Sequence, residues 1–174
     1  MANPGELVEY YQSKRVMCAI CIKVDNKDNL HLRSEENRED RIHKSKALLR
    51  DKSPFSANSE THLMVEWLKQ VGARRQKLAG EILLSELWEL LVDESGELSL
   101  DELCGLNFPS PVTIEQKSSM LRALDADKTW FVRKGDNYLA RTRPQVEEIQ
   151  QRLKAESEKA ADKLIVAAWL KQLW

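Results

Sequence analysis

Cys18 and Cys21 form a CxxC, the spacing with which a turn presents two thiolates to zinc. Here the pair stands inside an apolar run, residues 16–24 (VMCAICIKV), which puts Val16, Cys18, Ile20, Ile22 and Val24 on one face of a strand. Residues three apart on a strand point to opposite faces, so the two thiols cannot share a metal without a local break. No second CxxC and no paired histidines follow, and both cysteines read as core, as does Cys104. His31, His43 and His62 lie in separate segments without HxxxH or HExxH spacing, which leaves them as isolated surface or satisfied histidines. The phosphate-loop pattern GxxxxGK[ST], the dinucleotide pattern GxGxxG and the nucleophile elbow GxSxG are all missing. Asp125 and Asp127 close a predicted helix beside Lys128, a poor start for an unaided metal site. No catalytic residues, and no metal or cofactor site, assemble from these groups.

Basic residues interleaved with aromatics offer a different chemistry. Between 129 and 143 four cations, Arg133, Lys134, Arg141 and Arg143, face one acid, Asp136. Trp130, Phe131 and Tyr138 stand among them, a mixture suited to phosphate contact with base stacking. The four cations are the candidate phosphate contacts and Tyr138 the candidate stacking platform. The competing reading, in which the aromatics only anchor this segment to neighbouring helices, is favoured for Trp130 and Phe131. Two further clusters, Arg38, Arg41, Lys44, Lys46 and Arg50, and Arg74, Arg75 and Lys77, are read as solvated faces.

The elements that must hold these residues form a helix-turn-helix with a hairpin. Ser99 with Glu102 fits a capping box that opens a helix over 100–105. Pro109 and Pro111 block its continuation. Thr113 with Gln116 fits a second capping box and opens a helix to Asp127, with Leu121 and Leu124 on its buried side. Residues 130–133 and 137–140 are short β-prone runs around Lys134-Gly135-Asp136, which is hairpin chemistry. Preceded by the apolar helix 82–91, this is the order of a winged helix-turn-helix. Its second helix, from Ile114 to Asp127, carries Lys117 and Arg122 against Glu115, Asp125 and Asp127, poor electrostatics for a DNA major groove.

The remainder supplies the fold class, α+β and helix-rich. Residues 1–50 hold four or five short strands and read as a small SH3-like β-barrel. Residues 51–58 are a linker, and residues 59–142 hold a helical segment and the winged module. In the helical segment Ser59 caps a helix with Leu63, Trp67, Leu68 and Val71 as its stripe, Gly72 suits the C′ position, and a second helix follows from Ala73. Residues 143–174 form a long C-terminal helix with Pro144 in its first turn. It ends on an apolar stretch, residues 166–170, through to Trp174, the pattern of the front piece of a longer protein. With 42% hydrophobic and 32% charged residues and a net charge of −1, the chain is of a soluble globular class, and any nucleic-acid role must rest on a local patch. No run reaches membrane-spanning length, no signal peptide opens the chain, and an odd cysteine count makes no disulfide framework; a reduced, cytoplasmic protein is expected.

The whole chain resembles the front end of one branch of the ribonuclease II / ribonuclease R family of processive 3′-to-5′ exoribonucleases. The resemblance is carried by Gly5-Glu6-Leu7-Val8-Glu9-Tyr10, by Lys14-Arg15, and by Leu30-His31-Leu32 followed by Asn37-Arg38-Glu39. It continues through Ala47-Leu48-Leu49, Glu86-Leu87-Trp88-Glu89-Leu90-Leu91, the helix-turn-helix with Trp130-Phe131 and Tyr138, and Arg143-Pro144-Gln145-Val146-Glu147-Glu148. The resemblance implies a small barrel and a winged module that precede OB folds and a magnesium-dependent catalytic domain. The family's clustered metal-binding aspartates match no position here, so no cofactor and no catalytic residue carries over. The implied role is guiding single-stranded RNA towards the channel of the downstream domains. The alternatives are a scaffold that holds a protein partner or a second copy of the chain, and a winged-helix DNA regulator.

Overall fold

The computed structural model describes residues 3–173; Trp174 lies outside them. Among the described residues the fold is α+β, with five α-helices and two antiparallel sheets. Two compact units share the chain discontinuously. One holds the residues up to Leu83 together with Leu100–Ala126; the other holds Leu84–Ser99 and the residues from Asp127 on. The helices on either side of the 109–111 prolines belong to the unit that holds the first sheet.

In the first unit Leu7–Gln12 (β1), Arg15–Val24 (β2), Asn29–Ser34 (β3), Glu39–His43 (β4) and Ala47–Asp51 (β5) pair in the order β4-β3-β2-β1-β5. Ser13 and Lys14, both at positive φ, form the two-residue β1–β2 turn. The sheet curls, and the Tyr10 hydroxyl on β1 donates to Asp40 Oδ2 on β4 at 2.5 Å. It does not close into the expected SH3-like barrel. β4 and β5 remain edges, and β4 is a charged edge strand of the kind that discourages further pairing.

The two faces of this sheet have separate cores. Val8, Tyr10, Met17, Ala19, Cys21, Leu30 and Leu32 fill the inside of the curl. Leu7, Cys18 and Ile20 face Met64, Leu68 and Val71 of α1, Thr61–Gly80. A bulge between Cys21 and Lys23 moves Val24 onto the inner face, so the expected single face of Val16 to Val24 breaks there. α1 runs straight through Gly72, which is not a C′ cap. The Glu35 carboxylate lies against the helix at that point, and a Cβ there would stand 2.6 Å from Glu35 Oε2. After α1 come Leu100–Asn107 (α3) and Ile114–Ala126 (α4) in this unit. The Thr113 box forms as expected: Thr113 N donates to Gln116 Oε1 at 2.9 Å and Gln116 N to Thr113 Oγ1 at 3.2 Å.

The second unit holds Leu84–Leu91 (α2), Leu98–Ser99 (β6), Phe131–Lys134 (β7), Asn137–Ala140 (β8) and Arg143–Gln172 (α5), with sheet order β6-β8-β7. Lys134 pairs with Asn137, leaving Gly135 and Asp136 as a two-residue loop in which Gly135 takes φ +61°. α5 opens on a capping box between Thr142 and Gln145. Within its 30 residues Val146 is the buried one. No helix among the described residues is long and apolar enough to cross a membrane.

Candidate nucleic-acid interface

The hairpin starts where Asp127 ends α4's chain and turns it. Its carboxylate accepts from the backbone N–H groups of Thr129, Trp130 and Phe131 at 2.7–3.1 Å, so this acid is a structural anchor rather than a ligand. Phe131 is buried, and Trp130 packs on Trp88 of α2 with ring centroids 5.1 Å apart. The anchoring role expected for both rings is the one they take. Trp88 Nε1 donates to the Arg141 carbonyl at 2.7 Å, which ties α2 to the end of the hairpin.

The five predicted site residues fall into three situations. Arg133 and Lys134 are exposed at the hairpin tip, where Arg133 Nε donates to the Gly135 carbonyl at 2.9 Å. Arg141 and Arg143 sit at the opposite end, separated from the tip by a four-residue strand, about 13 Å. Arg141 is half-buried, and its backbone N–H closes the hairpin on the Trp130 carbonyl at 2.9 Å. Arg143 lies over the Trp88 ring, 5.6 Å from its centroid, and pairs with Asp93 at 3.1 Å. Tyr138 is buried, only 5% exposed, and cannot serve as the expected stacking platform. It sits opposite Arg133 on β7 and Leu98 on β6, so its ring belongs to the core of the central strand. The structure therefore provides two pairs of cations at the ends of one hairpin, not one continuous patch.

In the first unit α4 is closed to a groove. It packs on α1 and α3 and touches β2 and β5, and every residue from Ser118 to Leu124 is buried. Arg122, counted above among its cations, turns inward: Nη2 donates to Glu9 Oε1 at 2.8 Å, and Ser118 Oγ donates to the same oxygen at 2.8 Å. Arg75 lies 3.3 Å from that oxygen and donates to Asp51 at 2.8 Å, while Arg74 forks onto Glu115 at 2.6 and 2.9 Å. The Arg74 hydrogen bonds hold the Glu115 carboxyl below its usual range. Sequence reading placed Arg74, Arg75 and Lys77 on a solvated face; Arg74 and Lys77 are exposed, but Arg75 is buried. The same reading missed Glu9, whose place between apolar Val8 and Tyr10 on β1 looks like a solvent-facing alternation. All three cysteines are free and buried, and burial raises each thiol's pKa. Burial, with the Glu9 carboxylate beside it, pushes Cys18 well above the thiol range, and burial pushes Cys104 up to about 11. Cys18 and Cys21 point into opposite cores, as the strand spacing required.

Among the described residues no group of three or more His, Cys, Asp or Glu side chains could hold a metal ion. No family model, curated protein or solved structure matches this chain.

Proposed function

We propose that this chain is an accessory RNA-binding and positioning region of a 3′-to-5′ exoribonuclease of the ribonuclease II / ribonuclease R type. In this reading hydrolysis and its magnesium belong to a separate catalytic domain, with OB folds between. The chain order α2, β6, α3, α4, β7, β8 matches the order of a winged helix-turn-helix, and a curled five-stranded antiparallel sheet precedes it, which supports this reading. The observation that carries the reading is the hairpin tip, where Arg133 and Lys134 are exposed at the end of a hairpin whose base is held by Asp127. Such cations contact a phosphate backbone without reading bases. The enclosure of α4 weighs against a DNA regulator, whose second helix must enter the major groove.

A second reading, a protein-interaction or dimerisation module, draws on α5. Leu164, Ile165, Val166, Trp169, Leu170 and Leu173 are each at least 49% exposed on one helical stretch. One experiment separates the readings: fluorescence anisotropy of single-stranded RNA against the chain over a salt series, with duplex DNA in parallel. Micromolar RNA binding that weakens steeply with salt supports the positioning role. No RNA binding at low salt, with a sedimentation coefficient that rises with concentration, supports the interaction module.

A further inference from the structure

The second unit has its charges sorted by segment. Between 84 and 99 stand five acids, Glu86, Glu89, Asp93, Glu94 and Glu97, and no base. Between 127 and 143 stand five bases, Lys128, Arg133, Lys134, Arg141 and Arg143, and two acids. All five acids of the first segment are exposed. Among the described residues the segments meet in the ion pair of Arg143 Nη2 with Asp93 Oδ2 at 3.1 Å, with the side chains 56% and 80% exposed. The Arg143 guanidinium lies over the Trp88 ring, 5.6 Å from its centroid, while its Nη2 is paired with Asp93.

Resting on the RNA-positioning reading, we propose that Asp93 is an autoinhibitory stand-in for an RNA phosphate at Arg143. A carboxylate oxygen and a phosphate oxygen accept from a guanidinium in the same way. An exposed pair of this kind is weak enough for a phosphate to displace. The acidic segment around Asp93 then lowers affinity for the polyanion without closing the site. Arg143 works as a conditional contact, whereas Arg133 and Lys134 at the hairpin tip are open.

The test is a double-mutant cycle on the full chain with fluorescent single-stranded RNA at low salt: wild type, Asp93→Asn, Arg143→Gln and the double variant, alongside Arg133→Glu/Lys134→Glu. Asp93→Asn is expected to tighten binding by about two- to fivefold, the range of an exposed ion pair. The gain should disappear in the Arg143→Gln background and at high salt. Circular dichroism spectra matching wild type certify each variant. If wild type binds RNA and loses it on reversal of the hairpin tip, yet Asp93→Asn leaves affinity unchanged, the autoinhibitory contact is wrong and the positioning role stands. Equal tightening in the Arg143→Gln background overturns the contact too, since it would be a general effect of net charge. If neither wild type nor Asp93→Asn binds RNA, both fall.

Discussion

Arg122 Nη2 donates to Glu9 Oε1 at 2.8 Å, with the two side chains 7% and 1% exposed, so α4 is pinned to β1 by a buried ion pair. Glu9 keeps the buried Arg75 at 3.3 Å when Arg122 is removed, so Arg122→Ala is expected to destabilise the chain by about 1–3 kcal/mol. Glu9→Met takes a buried partner from both Arg122 and Arg75 and should cost more, about 3–5 kcal/mol. Urea denaturation followed by circular dichroism checks both values.

The hairpin tip predicts a change in binding without a change in stability. Arg133→Glu with Lys134→Glu should weaken RNA binding and flatten its salt dependence by about 0.7 per lost phosphate contact. The melting temperature should stay at the wild-type value, because both side chains are exposed. Unchanged affinity would show that the hairpin tip does not contact the phosphate backbone.

Trp88 is the hub of the second unit. Trp88→Phe keeps a ring against Trp130 but strands the Arg141 carbonyl, at a cost of about 1–3 kcal/mol. Trp88→Ala also empties the ring site and should cost about 3–5 kcal/mol. Equilibrium unfolding should rank the two in that order.

The thiols predict inertness. With Cys104 pushed up to about 11 by burial, and with Cys18 and Cys21 also raised by burial, little thiolate forms at neutral pH. Iodoacetamide should modify the native chain slowly and the urea-unfolded chain fast at all three positions. Rapid labelling of the native chain would show that the cores open.

Glu35 sets a pH dependence. Burial against Gly72 of α1 raises its pKa above the ordinary glutamate value, so the fold favours the protonated acid. Its contribution is fully present below about pH 4 and is lost as pH rises through the raised folded value. Glu35→Gln should therefore flatten the decline in stability between mildly acidic and neutral pH. Denaturation midpoints across that window, compared with wild type, give the answer.

What the sequence determined by itself was local. Alternation and turn residues placed β1 to β4, the Thr113–Gln116 pair opened α4, and Gly135-Asp136 closed the hairpin, because each depends on neighbours within a few residues. The opposite faces of Cys18 and Cys21 follow from strand geometry alone. Tertiary structure decided the rest. Gly72 looked like the end of a helix, yet α1 continues where Glu35, 37 positions earlier in the chain, comes to rest on it. Tyr138 had the composition of a stacking platform, but its place on the central strand of its sheet turned it inward. Arg75 and Arg122 looked like solvated cations until Glu9 gave them a buried partner. Burial and ion pairing are properties of residues far apart in the chain and brought together by packing, and no local pattern encodes that meeting.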